Sequence, residues 1–436
     1  MRGFLAVVVG VAVVCLFGSA LRAETLVDKL AVLVGEHDRI LAAESAVESS
    51  GYGVRQAEGA MYPSVDLSME FTREEIEPAP PSTSVTVDAR NEEILRAEQL
   101  LYDFGSTSGS IEAAEVRHAQ SQIRLERATQ KLLFDGARAY LEVLRANERL
   151  AHARMSEERI MEQTGVEEAL VERGAGLSSN VLQAKQQLAW AMALRVMAEG
   201  ELSNSISRYH AVFGDWVEES DVADFQRPPE PFSRLPLTVE DAVQVALANN
   251  PELLIAEQNV YLAEAQLTQA ESRWFPTLSL FAEGKRREND SGLSGVRTES
   301  SVGLAVQWNL YNGGSDDAAI RAARAEVSRA RYNQQDLSRT VEQEVRVAWE
   351  NLLTFRYNAE LLQNQADILG EFLELARRER KMGTRTLLDL LNAEVMYINA
   401  IGNSVSAEYD TLFAAYNVLY TTGSLDLDVF DATAEP

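Results

Sequence analysis

Apolar residues between positions 341 and 376 recur at alternating intervals of four and three: Val341, Val345, Ala348, Leu352, Phe355, Ala359, Leu362, Ala366, Leu369, Leu373 and Ala376. That period of 3.5 predicts a coiled-coil seam. After Gly383 it resumes through Leu391, Val395, Ile398, Gly402, Val405, Tyr409, Leu412, Tyr416 and Leu419, which predicts a second helix folded back along the first. An earlier stretch repeats the seam through Leu132, Gly136, Ala139, Val143, Ala146, Leu150 and Ala153, then blurs toward Glu157. Many of these positions are Ala or Gly, small enough for helix backbones to approach closely. At a rise of about 1.5 Å per residue, helices of some 50 to 60 residues would reach roughly 75 to 90 Å. A globular domain has no need of such length.

Elsewhere the period changes from 3.5 to 2. Val302, Leu304, Val306, Trp308 and Leu310 alternate with Gly303, Ala305, Gln307 and Asn309, so one face is apolar and the other small or polar. A transmembrane β-strand has this pattern. Its strand, about 296–310, is expected to pair with 277–286 through a loop at 289–295. In the first half, strands at about 64–72 and 85–101 take the same parts, joined by a loop holding Pro78, Pro80 and Pro81. Four strands cannot close a membrane barrel, for which about eight is the lower limit. If they enter a bilayer, the chain must oligomerise.

The two halves are copies. Leu101-Tyr102-Asp103-Phe104-Gly105 returns as Leu310-Tyr311-Asn312-Gly313-Gly314, 209 positions later, and the same shift carries Gly174 onto Gly383 and Val181-Leu182-Gln183-Ala184-Lys185 onto Leu390-Leu391-Asn392-Ala393-Glu394. Met61-Tyr62-Pro63-Ser64 corresponds to Trp274-Phe275-Pro276-Thr277 at a shift of 213. The eleven prolines leave 82–227 and 277–435 free, as long helices require. The organisation expected is a leader at 1–23, a first repeat at 24–214, a linker at 215–236, a second repeat at 237–421 and a tail at 422–436.

The leader has Arg2, an apolar run at 5–17 and small residues at Gly18, Ser19, Ala20 and Ala23, which is the form of a secretory signal peptide. It contains Cys15, the only cysteine. The run falls short of the roughly 20 residues of a membrane-spanning helix. Lipidation at Cys15 would want a small residue before it, and Val14 stands there. Of the 436 residues, 46% are hydrophobic, enough for sizeable cores, while 40 Lys and Arg against 67 Asp and Glu give a net charge of -27. That balance argues against nucleic acid as a partner. His37, His118, His152 and His210 are scattered, no phosphate loop or metal-ligand spacing occurs, and neither catalysis nor a cofactor is expected.

Taken together, the tandem repeat, the Tyr62-Pro63 and Phe275-Pro276 lead-ins, the Leu-Tyr-Asp-Phe-Gly and Leu-Tyr-Asn-Gly-Gly exits, Asn250-Pro251-Glu252 and the run from Met382 through Gly383-Thr384-Arg385-Thr386 to Leu391 resemble the TolC family of outer-membrane channel proteins. The resemblance covers nearly the whole mature chain. It implies a mostly α protein with a membrane β part: a homotrimer in which long antiparallel coiled-coil helices form a periplasmic α-barrel and four strands per chain share a 12-stranded barrel in outer-membrane lipid. It also implies an equatorial band, here 215–236 with the tail, and two partners, a periplasmic adaptor (membrane fusion) protein and an inner-membrane transporter, ABC-type or proton-driven.

The family closes its periplasmic tip and docks the adaptor at the turns between long helices. Here those turns hold Gly174, Gly176, Leu177, Ser178 and Asn180, and Gly383, Thr384, Arg385, Thr386, Asp389 and Asn392. Arg385 matches the family's linking arginine and Asp389 its acidic ring; Asn392 and Asn180 stand at further acidic positions, which lowers the ring charge. A solvated pair at a helix start is the plain alternative for Arg385 and Asp389. The expectation is a passive exit duct for type I protein secretion, multidrug efflux or both. The rival is a soluble periplasmic coiled-coil adaptor or scaffold without a barrel.

Overall fold

The computed structural model describes residues 25–76, 86–290 and 295–431. The expected leader and the loop with Pro78, Pro80 and Pro81 lie outside them, as does part of the loop at 289–295. In chain order come α1 (Leu26–Glu36), α2 (Asp38–Glu58), β1 (Ser64–Ile76), β2 (Thr86–Tyr102), α3 (Ser106–Glu172), α4 (Ser178–Phe213), α5 (Val239–Asn249), α6 (Pro251–Ser272), β3 (Thr277–Glu288), β4 (Val296–Gln307), α7 (Ser315–Lys381) and α8 (Leu387–Thr421). The chain is mostly helical, with a single four-stranded antiparallel sheet of order β1-β2-β3-β4 among the described residues.

The helices are less equal than the expected 50 to 60 residues. α3 and α7 each have 67 residues, about 100 Å of helix, whereas α4 and α8 have 36 and 35. Each long helix is accompanied by two shorter ones placed end to end. α2 runs along the sheet-proximal half of α3 and α4 along its far half; α6 and α8 do the same for α7. The long helices begin just past Gly105 and Gly314, whose φ values of +105° and +81° make the sharp turn that a side chain would oppose. No proline interrupts them before the far turns.

The strand expected to reach Leu310 stops at Gln307, which pairs with Thr277, the first residue of β3. Beyond that point the neighbouring strand has turned away: Pro276 has no N–H to offer, and the Trp308 indole N–H instead donates to the Trp274 carbonyl at 3.1 Å.

The seam residues of α7 are buried against α5 and α8 within the second half, while those of α8 also join a core shared with the first half. Val345, Ala348, Leu352, Leu373 and Ala376 are covered, as are Tyr409, Leu412, Tyr416 and Leu419. Between them Ala366 is buried and Phe355 partly exposed, while Tyr357, Leu361 and Ile368, off the seam, face solvent on a single chain. The largest core lies midway along the bundle, where Leu30 and Leu33 of α1, Tyr140 of α3, Tyr209 of α4 and Tyr416 of α8 meet Val222, Leu425 and Phe430 from the linker and tail. Gly136 fits closely into this packing: a Cβ there would sit 2.6 Å from the Leu30 side chain, which would have to shift. The Tyr140 hydroxyl donates to the Gln226 carbonyl at 2.9 Å and that of Tyr416 to the Pro229 carbonyl at 3.0 Å, so the linker is tied to both repeats.

Candidate functional site

Directly paired residues share a face of a sheet, so the register sorts the strands into two surfaces. Val65 pairs with Ala97, Ala97 with Ala282, and Ala282 with Val302; one step along, Leu280 faces Leu304. Val65, Leu67, Met69 and Phe71 of β1 therefore share one face with Leu95, Leu280, Val302 and Leu304. Nothing among the described residues covers it: Phe71 is 71% and Val302 77% exposed. At the helix-proximal rim stand Tyr62, Tyr102, Trp274, Phe275, Trp308 and Tyr311, all exposed, an aromatic girdle of the kind that sits at a lipid headgroup layer.

The opposite face carries charge in a continuous ladder. Glu92 accepts from Arg90 at 2.7 Å and Arg287 at 2.9 Å; Arg96 pairs with Glu98 at 2.9 Å and Glu283 at 3.7 Å; Lys285 meets Glu283 at 2.7 Å. One apolar and one charged surface on the same strands suit a wall between lipid and water. Both outer strands, β1 and β4, keep an unpaired edge. Among the described residues no helix is long and apolar enough to cross a membrane.

At the far end of the bundle the two turns are built alike. The Gly174 N–H donates to the Val171 carbonyl and the Ala175 N–H to Leu170, both at 2.9 Å; Gly383 to Arg380 and Thr384 to Glu379, both at 3.0 Å, repeat the pattern. This helix termination needs a left-handed residue, and Gly174 and Gly383 supply φ of +71° and +78°. Gly176 is required for a different reason, since a Cβ would lie 2.9 Å from the Val171 nitrogen. Leu177 and Ser178 are exposed, Asn180 is half-buried and faces the groove described next, and Asn392 is exposed.

Arg385 and Asp389 do not meet. The Arg385 guanidinium pairs with Glu379 at 3.2 Å and lies over the Phe372 ring at 4.7 Å. Asp389 belongs to the start of α8: its N–H donates to the Thr386 hydroxyl oxygen, and that hydroxyl donates to the Asp389 carboxylate at 2.7 Å. The stronger connections are ones the sequence reading missed. Glu167 of α3, with its side chain 1% exposed, receives the Arg380 guanidinium of α7 at 2.5 Å, and Arg380 also donates to the Arg385 carbonyl at 3.3 Å. Glu394 of α8, also buried, is held by Arg159 of α3 at 3.3 Å and Arg377 of α7 at 2.9 Å. These groups line a groove of about 900 Å³ between the hairpins. A signal was present: Glu167 follows Ile160 and Thr164 at seam spacing, and all three are buried.

The chain matches the profile of outer membrane efflux proteins over residues 33–212 and 242–423, most of its length. It belongs to the outer membrane efflux protein family. The two matched blocks fall one in each half of the chain and leave out residues 213–241 between them. The outer membrane efflux protein BepC of Brucella suis biovar 1 is 26% identical over 416 residues, covering 95% of this chain and 88% of BepC. The alkaline protease secretion protein AprF of Pseudomonas aeruginosa is 26% identical over 337 residues, covering 76% and 69%. The solved structure of the outer-membrane channel OprN superposes with a TM-score of 0.79 at 18% identity, over 92% of this chain and 90% of that one, and shares its fold. Family membership places the protein in the outer membrane and sets the soluble-scaffold reading aside.

Proposed function

We propose that three copies of this chain form a passive exit duct through the outer membrane, for type I protein secretion, multidrug efflux or both. The observation that carries the reading is a sheet with one bare apolar face, one charged face and two unpaired edges. β4 of one copy pairing with β1 of the next would make a closed 12-stranded barrel, with the apolar face toward lipid and the charge ladder toward water. Closure removes every free edge, which is what hydrocarbon demands of a β structure. The helices continue the wall into the periplasm, where the linker 215–236 and the tail after Thr422 form an equatorial band.

The far turns are the gated end. There Glu167–Arg380 and Glu394 with Arg159 and Arg377 tie α3 to α7 and α8, and opening requires those contacts to part. Gly174, Gly176, Leu177, Ser178 and Asn180, together with Gly383, Thr384, Arg385, Thr386, Asp389 and Asn392, present the surface to a periplasmic adaptor. The energy comes from an inner-membrane transporter, since a duct has none of its own. BepC and AprF, named for efflux and for protease secretion, support the two cargo classes. The test is extraction and conductance: the processed chain should need detergent, run as a trimer and form channels in planar bilayers. A monomer stable in plain buffer would overturn the proposal.

A further inference from the structure

The internal repeat shows how one strand-to-helix exit receives one helix-to-strand lead-in. Within the chain, the exit of the first repeat (Tyr102, Asp103, Phe104) lies against the lead-in of the second (Trp274, Phe275, Pro276). The Phe104 ring stacks on Phe275 at 4.9 Å and 13°, and Tyr102 meets Phe104 edge-on at 4.6 Å. Phe104 holds this place at φ +55°, in the left-handed region that side chains avoid.

The second exit and the first lead-in have the same construction and no counterpart. Gln99 donates to the Met61 carbonyl at 2.7 Å, and at the equivalent positions Trp308 donates to the Trp274 carbonyl at 3.1 Å. Tyr311 stands where Tyr102 stands and is 84% exposed; Tyr62 stands where Phe275 stands and is 71% exposed. Gly313 occupies the position of Phe104 with nearly the same backbone, φ +59°, and open space around it.

We propose that the exit segment 308–311 receives the lead-in 61–63 of a second copy of this chain, in the arrangement the two repeats already make within one chain, but without the central ring. The proposal rests on the three-copy reading and goes beyond it. Around the base of the barrel, seams within subunits carry the Tyr102–Phe104–Phe275 clasp, and seams between subunits have Tyr311 and the next copy's Tyr62 on either side of the gap left by Gly313. The six junctions are therefore unequal, and the compliant ones lie between subunits, where the pore passes from strands to helices.

The test uses the full chain in detergent, whose mature part has no other cysteine. A short bifunctional thiol reagent applied to the Tyr62→Cys/Tyr311→Cys variant should give covalent dimers and trimers on a denaturing gel, while Tyr102→Cys/Phe275→Cys should link within one chain and leave its mobility as a monomer. Gly313→Phe, which restores the missing ring on a backbone already suited to it, should raise the temperature at which the trimer dissociates by a few degrees. A Tyr62→Cys/Tyr311→Cys variant that runs as a trimer yet gives no cross-linked dimers, or a Gly313→Phe trimer that dissociates no later than wild type, would overturn the seam while leaving the trimer standing. A wild-type monomer in detergent would overturn both.

Discussion

Replacing Arg380 by Leu tests the gated end most directly. Glu167 would remain where it is, its side chain 1% exposed, with the Gln163 amide at 3.2 Å as its remaining hydrogen-bond donor. Removing one partner of a buried ion pair typically costs about 3 to 5 kcal/mol, because the other charge stays buried. Arg380 is itself 24% exposed, so water screens part of the pair and the lower end, about 3 kcal/mol, applies. The penalty falls on the arrangement in which α3 and α7 are in contact. Once they separate, water reaches Glu167 and the penalty is relieved. At about 1.4 kcal/mol per factor of ten, the open arrangement should gain roughly a hundredfold relative to the closed one. Single-channel recording in planar bilayers reads this as a higher open probability or conductance. The Arg380→Leu/Glu167→Leu double variant, which leaves no orphaned charge, should return most of the way to wild type. If Arg380→Leu assembles as a trimer and gates as wild type does, the groove contacts do not hold the tip.

Four further outcomes follow from the same structure. Leu304→Arg puts a charge on the bare apolar face and should reduce assembly into lipid vesicles, at about 2 to 4 kcal/mol if the site is near the bilayer centre, whereas Ser301→Arg on the charged face should assemble normally. Gly423→Ala should lower the thermal midpoint clearly, because φ is +73° and a Cβ would lie 2.5 Å from the Asn249 carbonyl oxygen; an unchanged midpoint would contradict the tail packing. Burial raises the Glu142 pKa, but hydrogen bonds from Arg208 and Arg138 outweigh it and leave it below the ordinary carboxylate value. Its contribution to α3–α4 pairing is therefore full above that ordinary value and lost as pH falls through the lowered one, so an acid melt of wild type should be steeper than that of Glu142→Gln. Gly176→Ala, 2.9 Å from the Val171 nitrogen, should loosen the first far turn and speed its amide exchange while leaving the sheet's exchange unchanged.

Much of the architecture was written in periodicity. A spacing of 3.5 with no proline leaves only helix, and alternation bounded by Tyr62-Pro63 and Phe275-Pro276 leaves only strand, so the element types and the duplication needed no coordinates. The turns were legible for a similar reason: Gly174 and Gly383 sit where a chain reversal demands positive φ, and that is a local constraint. Helix lengths were harder to read, because α2 and α4 share α3 as a common partner, and no local signal says that two short helices line up against one long one.

The gate network lay further from reach. The seam that blurs after Ala153 does so because its positions turn polar, through Ser156, Glu157, Thr164 and Glu167, all of them buried. A polar residue at a core position reads as exposed unless its partner is known, and Glu167 finds Arg380 more than two hundred residues away. Arg385 and Asp389 are close along the chain, and each finds its partner locally, on Glu379 and Thr386. Short-range periodicity and backbone sterics are carried by each segment alone, and the sequence by itself determined them. Which charges share a buried space, and which strand edges remain unpaired, depend on how distant segments are brought together, and only the tertiary structure decided those.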